Sequence, residues 1–531
     1  MSVLRMRCHC VKFIRRFSVL PEYTEKPEYP PILDLSRDAV KKRNDEVWHN
    51  KIKNLEILEE KLMEVNMPRY YGWPCIGLYE GKVPYGSLQF AQYITRTFIV
   101  TQQELPMLYQ AAGIVDLCAP ILDHVKNSIK EAIVLEHAVE RSPSGELEDN
   151  GDDVNELGDA IVHQINRVII SSLSADFPHL QTCQVDHFPR IESFWIVGGI
   201  DPPKRLEKIR KTSNNGDLGK PVDVKFQYLG RPIAQLRHEL PLQPAAIESE
   251  IQKIESNVPE FHYDPRVLGI DKLQRHVTNI PGFWPGDKSE FPLMSFHSSK
   301  YLANRSSFDD SEAAPYVHAV LASFAWLQAL ACYKGFSTFQ DVTYPLLTQT
   351  VLTDGQYWSF YVYQLNTMLL HSSHATENQK CNLCWGTKKL KLFDKIENGK
   401  VVGFNEEVLK ILLYFYLNVP HVRSGVELKP YLGVNNRYIA DIPEKDKRVW
   451  LEKHFKHMYS NRPRKLLADE LYHWEKIYKV DHKTRPQEPR RRPFELGQVP
   501  LERRYDDHTP AYVRKSERTV KWKKFEKTYY P

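Results

Sequence analysis

The stretch PYVHAVLASFAWLQALACY, residues 315–333, constrains the fold of this 531-residue chain more than any other segment. It is Ala-rich, with Val317, Val320, Leu321, Phe324 and Leu327 at helical intervals, and Lys334-Gly335 supplies a stop. That pattern predicts a core helix. Downstream of it, strand and helix patterns alternate. TDGQYWSFYVYQLNTMLL, from Thr353, reads as an aromatic strand introduced by an Asp354-Gly355 turn. KLKLFDKIENGKVVGF reads as a hairpin turning at Asn398-Gly399. Asn405 then caps a helix with body VLKILLYFYL, whose first turn holds Glu406 and Glu407, opposite in sign to the positive end of the helix dipole. The expected class is a mixed α/β (α+β) fold.

The N-terminal half is harder to read. Ser36 to Val65 reads as one charged helix with Val47, Ile52, Leu55, Leu58 and Leu62 as its buried stripe, and MPRYYGWPCIGLY as an aromatic-rich loop. LQFAQYITRTFIV, residues 88–100, reads as a strand, and about Pro106 to Val139 as helical. RSPSGELEDNGDDVNELGD, residues 141–159, is acid-rich with no aromatic residue and reads as a flexible linker; its acids lack the spaced ligands of an EF-hand. A short helix over 160–173 and a buried strand in HFPRIESFWIVGG come next. The expected organisation is a transit peptide over 1–21, an N-terminal helical and strand region over 22–140, the linker over 141–159, a mixed body over 160–420 and a basic extension over 421–531. The body is expected to form two closely joined lobes divided near the linker, with an extended basic C-terminal arm.

Charge separates these regions. Residues 1–21 carry Arg5, Arg7, Lys12, Arg15 and Arg16 with no acid before Glu22, the make-up of a mitochondrial presequence. Residues 421–531 hold 27 Lys+Arg against 16 Asp+Glu, which leaves 40 against 51 for positions 22–420. Phosphate contacts should therefore gather in the tail and in local basic segments, while the acidic body suits protein partners. The densest apolar run, Val408 to Val419, is too short to cross a bilayer, so no membrane span is expected. Eight scattered cysteines argue for reduced thiols rather than a disulfide scaffold.

Two segments have the residues for contact with RNA. DPPKRLEKIRKTSNNGDLGKP, residues 201–221, carries Lys204, Arg205, Lys208, Arg210 and Lys211 and reads either as a solvated loop or as a phosphate-touching hairpin. In the tail, Arg490, Arg491, Arg492, Arg503, Arg504, Arg514, Lys515, Lys521, Lys523 and Lys524 are interleaved with aromatic residues including Trp522, which suits phosphate pairing and base stacking. GDLGKP is not a phosphate loop, because Asn214 stands where its first glycine belongs and Pro221 where the magnesium-binding hydroxyl belongs.

No catalytic constellation is visible: His238-Glu239 lacks the second histidine of H-E-x-x-H, and no G-x-S-x-G occurs. HSSHATENQKCNLCWGT sets His371 and His374 ahead of Cys381 and Cys384, donors that zinc accepts. The six-residue gap between the pairs is shorter than in most finger-like sites, and a redox pair would adjoin a helix N-terminus rather than a strand. No metal, cofactor or small-molecule substrate is expected, and a zinc-dependent mitochondrial enzyme or RNA-processing factor is the alternative.

DVTYPLLTQTVLTDGQYWSFYVYQLNTMLL, NLCWGT and GFNEEVLKILLYFYLNVP, between Asp341 and Pro420, closely resemble the mitochondrial ribosomal protein family first numbered as small-subunit protein S-thirty, also called programmed cell death protein nine and later reassigned to the large subunit. LQFAQYITRTFIVTQQELP, HFPRIESFWIVGG and ASFAWLQAL resemble it more weakly, so the likeness runs over roughly 65–420. The resemblance implies a non-enzymatic component of the large mitoribosomal subunit in the matrix. It further implies contact with rRNA and other mitoribosomal proteins, and pairing with the related protein L-thirty-seven. Beyond Pro420 the likeness ends, and the basic extension inherits no role from it.

Overall fold

A computed structural model describes residues 34–66, 74–100, 104–110, 112–140, 153–212, 218–246, 258–270, 272–274, 278–305, 308–338, 340–433 and 436–459. The presequence expected over 1–21 and the arm from residue 481 lie outside the described residues. Packing divides the chain into units 1–50 and 51–531. The described part of the first unit, residues 34–50, runs into the beginning of α1 (Arg37–Asn54).

In the second unit the order begins with α2 (Leu58–Asn66), β1 (Pro74–Tyr79), α3 (Leu88–Thr95), β2 (Thr97–Ile99), α4 (Ala112–Glu140), α5 (Asp153–Leu173) and α6 (Pro178–Gln181). It continues with β3 (Gln184–His187), β4 (Ile191–Ile200), α7 (Lys204–Thr212), β5 (Val222–Gly230), β6 (Ala234–His238), β7 (Lys272–Gln274), β8 (Ile280–Pro281) and β9 (Phe291–Ser298). The remainder is α8 (Ala313–Tyr333), β10 (Leu346–Thr353), β11 (Tyr357–Leu365), α9 (His374–Glu377), β12 (Asn382–Gly386), β13 (Leu390–Lys391), the β14 (Lys395–Glu397) and β15 (Lys400–Val402) hairpin, α10 (Glu406–Leu417) and α11 (Lys445–Tyr459). The fold is mixed α/β, as expected.

One sheet runs β7-β1-β5-β4-β8 and the other β2-β12-β11-β10-β9-β6-β3, with β13 on β11. The pairs β1/β5, β9/β10 and β2/β12 are parallel and the rest antiparallel. Helix α8 packs on β4, β5 and β8 of the first sheet and on β10 and β11 of the second. Covered from both sides, it is buried along nearly its whole length, which is why its apolar residues encircle it rather than forming a stripe. By length and composition α8 could cross a bilayer, which corrects the expectation that Val408–Val419 is the densest apolar run; here the two sheets bury it instead. On the far face of the second sheet, α4, α5 and α10 close an apolar core with Val125, Ile129, Ile165, Phe360, Val362 and Leu413. Strand alternation directs Trp358, Phe360 and Val362 to that core and Tyr361 and Tyr363 toward α8.

Several local expectations change. The single helix expected from Ser36 to Val65 is two, because a β-bridge at Ile57 interrupts it: Arg437 N–H donates to the Glu56 carbonyl and Leu58 N–H to the Arg437 carbonyl, both at 2.8 Å. GWPCIGLY, read as part of a loop, ends in strand β1. LQFAQYIT, read as a strand, is helix α3, which buries Phe90, Ala91 and Ile94 and ends at Arg96 with φ 47°; only Thr97–Ile99 is strand.

The acidic segment is shorter than expected. Residues 141–152 lie outside the described residues, but α5 already begins at Asp153, within the linker predicted to reach 159. Both sheets also cross the expected division, since β1 and β2 precede the acidic segment while their partners β5 and β12 come after it. Gly158 shows why a glycine sits in α5: a Cβ there would lie 2.5 Å from the carbonyl oxygen of Asp354, in the β10–β11 turn where Gly355 has φ +97°. Gly158→Ala is therefore expected to lower stability by roughly 1–3 kcal/mol through overpacking, read from the urea midpoint of unfolding.

Candidate functional site

Where the segment from Asp201 to Pro221 is described, its basic residues Lys204 to Lys211 stand on a helix rather than on the loop or hairpin considered for them. Lys204–Thr212 is helix α7, started after Pro202-Pro203, with Leu206 N–H donating to the Pro203 carbonyl at 2.7 Å. KRLEKIRK consists almost wholly of good helix formers, and Arg210 and Lys211 in the last turn complement the dipole. Lys204, Lys208 and Lys211 are exposed at i, i+4 and i+7 and share one face. Arg210 is half-buried and its Nη1 donates to the Lys220 carbonyl at 2.6 Å, so it fastens the helix to the following segment. The side chain of Arg205 lies outside the described residues. What α7 offers is a lysine stripe capable of pairing with successive phosphates. The ten basic candidates of the tail, and Trp522, lie outside the described residues.

The HSSH and CNLC pairs are placed by the edge of the second sheet. His371 is buried with Nδ1 3.2 Å from Ser372 Oγ, its ring 5.2 Å from that of His374, which opens α9. Cys381, Leu383 and Trp385 belong to the core facing α4, α5 and α10. Cys384 points the other way, toward the α8 side, where its partner in the register is Tyr363. The two thiols thus face opposite sides of the sheet, and one tetrahedral ion could not reach both. Burial also pushes the Cys384 thiol well above its ordinary titration range.

Within NLCWGT the residue with most to do is Asn382, which is fully buried. Its Oδ1 accepts from the N–H groups of Asn366 at 2.7 Å and Thr367 at 3.0 Å. Its Nδ2 donates to the carbonyls of Thr95 at 2.8 Å and Thr367 at 3.1 Å. All four hydrogen-bonding positions of the amide are used. Arg96 reinforces the junction by donating to the carbonyls of Lys380 at 2.8 Å, Ala375 at 2.7 Å and Asn378. Neither residue stands out by type or spacing; only their neighbours in the fold reveal them.

His238 is likewise occupied structurally, with Nε2 3.0 Å from Thr182 Oγ1 and Nδ1 accepting from Leu240 N–H at 2.9 Å. Burial shifts its titration downward. A cleft of about 490 Å³ is lined by Phe188, Arg190, Ile191, Glu192, Leu229, Gly230 and Arg231. Its arginines are engaged: Arg190 Nε is 2.9 Å from Glu192 Oε1, and the Arg231 guanidinium lies 5.2 Å from the Phe188 ring centre. Among the described residues, the potential metal ligands that do converge are Glu80, His297 and His318, none of which the sequence singled out.

A protein-family model described as Mitochondrial 28S ribosomal protein S30 (PDCD9) matches residues 4–420. The chain is also 28% identical over 211 residues to a rat (Rattus norvegicus) protein named large ribosomal subunit protein mL37, a match covering 36% of this chain and 48% of that relative. The chain spans about half the length of the curated relative it matches. The family match ends at Pro420, where the basic extension begins.

Proposed function

The chain belongs to the mitochondrial ribosomal protein S30 (PDCD9) family, and from that premise we propose that it is a structural constituent of the large subunit of the mitochondrial ribosome, working in the matrix. The match across 4–420 carries this reading, because it takes in both sheets and the helices packed on them. The family description bears a small-subunit label, while the relative at 28% identity is named for the large subunit; the proposal takes the large subunit. Sedimentation of a mitochondrial lysate on a sucrose gradient tests the choice. Co-migration with the large subunit is expected, and co-migration with the small subunit alone would overturn it.

The proposed work is binding rather than catalysis, with the body meeting other mitoribosomal proteins, including the related large-subunit protein L-thirty-seven, and the basic segments meeting rRNA. Support on the RNA side is the lysine stripe of α7 and the charge of residues 421–531. Lys204, Lys208 and Lys211 changed together to glutamine should weaken binding to large-subunit rRNA. They should also flatten the dependence of log K on log salt by roughly 2–3, about one for each phosphate left without its lysine. An unchanged salt slope would remove α7 from the interface. Deleting 481–531 should weaken ribosome association in the same salt-sensitive way, whereas equal retention at low and high salt would exclude the arm from RNA contact.

A further inference from the structure

Glu80, His297 and His318 come from three separate elements: the residue after β1, strand β9 and helix α8. Their ligand atoms lie within 4.8 Å of one another where α8 meets both sheets. Both imidazoles are 2% exposed. We propose that these three residues form a binding site for a single divalent transition ion, zinc by the chemistry of its donors.

Each ligand is already held as a metal ligand would be. Glu80 Oε2 accepts a hydrogen bond from Arg231 N–H, which leaves Oε1 turned to the histidines. His297 Nδ1 meets Oε1, and its Nε2 lies 2.9 Å from Ser295 Oγ, a hydroxyl able to accept a hydrogen bond from Nε2–H in the tautomer that leaves Nδ1 free to bind the ion. His318 Nε2 is 3.6 Å from Oε1, close to the roughly 3.3 Å that separates two ligands of a tetrahedral zinc bound at about 2.0 Å. Glu80 and His297 could satisfy one another as an ordinary ion pair, but that arrangement strands His318. Neither of its ring nitrogens has a hydrogen-bond partner among the described residues, nor does the buried hydroxyl of Tyr228. Tyr228 is a neighbour: a Cβ on Gly230 would touch Tyr228 Cε1 at 2.7 Å and Glu80 Oε2 at 3.1 Å. Orphaned buried polar atoms are costly, and an ion on Nε2 of His318 gives that atom a partner. Two imidazoles and one carboxylate leave the fourth tetrahedral position for water or the Tyr228 hydroxyl.

The test uses the untagged full-length chain, expressed with zinc and desalted, with metal measured by mass spectrometry. About one zinc per chain is expected in the wild type and none in His318→Ala. A competing pair exists at His163 and His187, whose Nδ1 atoms are 3.0 Å apart, so His163→Ala/His187→Ala is the control and should keep its zinc. Because His318→Ala could disturb the core, wild-type metal-free protein is also titrated with cobalt(II). Tetrahedral visible bands that zinc displaces are expected, with affinity about 10–100-fold weaker in Ser295→Ala, which retains every ligand. A wild type with neither zinc nor cobalt bands overturns the site, as does zinc that survives in His318→Ala and disappears in the control.

Discussion

Asn382→Leu should destabilise the chain by about 4 kcal/mol or more, because the apolar side chain would strand two N–H groups and two carbonyls in the core at roughly 1–3 kcal/mol each. The N–H groups are those of Asn366 and Thr367, and the carbonyls those of Thr95 and Thr367. Leucine has the same number and branching of side-chain heavy atoms as asparagine, so the substitution tests the hydrogen bonds while keeping the shape close. Asn382→Asp isolates the two halves of the network: a carboxylate still accepts from both N–H groups but cannot donate to either carbonyl, so it too should be destabilised. Cys384→Ala, two residues along the same strand, removes no hydrogen bond of this network and should cost much less. Urea midpoints of the three variants provide the ranking. An Asn382→Leu midpoint equal to that of Cys384→Ala would show that the amide network does not hold this junction.

This network also explains why certain segments carry the family resemblance. NLCWGT and LQFAQYITRTFIV lie almost 300 residues apart, yet β12 and β2 are parallel neighbours with Asn382 beside Thr97 and Cys384 beside Ile99. Arg96 and Asn382 both tie the end of α3 to the chain around β12. The residues that identify the family are therefore residues that close the second sheet, and their role is architectural. The cysteines that suggested a metal owe their place to the strand, one facing each side.

Features fixed by local chemistry were legible in the sequence. The hairpin turn at Asn398-Gly399 has φ of 51° and 71°, and Asn405 caps α10 by accepting from Glu407 N–H at 3.0 Å. Helix α8 was legible because length, alanine content and the Lys334-Gly335 stop agree, and apolar residues on every side of it match its enclosure between the two sheets. The failures were conflicts between composition and periodicity. Aromatic and β-branched residues made 88–95 look like strand, whereas Phe90, Ala91 and Ile94 are spaced for one helical face. Acids and glycines made 153–159 look like linker, although Gly158 is there for close contact with the Asp354 turn. The convergence of Glu80, His297 and His318 could not be read at all. More than 200 residues separate the carboxylate from the histidines, so no spacing rule applies, and the parallel and antiparallel pairings of two sheets bring them together.

Glu290, between β8 and β9, should be far harder to replace than Lys334, one of the two lysines it contacts. Lys334 Nζ pairs with Oε2 of this carboxylate, Lys429 Nζ lies 2.8 Å from it, and the Tyr333 hydroxyl donates to Oε1 at 3.2 Å. Burial alone would raise the Glu290 carboxyl, but the two ammoniums outweigh it and hold it below the usual carboxylate range. For Lys334, 1% exposed and with its ammonium 4.0 Å from the Phe291 ring centre, burial wins: its titration falls to about 8 against the pull of a carboxylate shared with Lys429. The two downward shifts have opposite meanings, one marking a favoured charge and the other a penalised one. Glu290→Gln leaves two cations together with no anion and should cost about 3–5 kcal/mol. Lys334→Met leaves Glu290 its pair with Lys429 and keeps the contact with Phe291, so it should be near neutral or stabilising. The pH dependence has the same asymmetry. Between pH of about 8 and the ordinary lysine value near 10.4, the unfolded chain holds a proton on Lys334 that the folded chain has released. This group therefore makes stability rise with pH across that window, and the increment should vanish in Lys334→Met. In acid the Glu290 contribution, present above the ordinary carboxyl value, is lost as pH falls through its depressed folded value. Equal losses in Glu290→Gln and Lys334→Met, with the alkaline increment intact in the latter, would mean that the lysine rather than the carboxylate anchors the cluster.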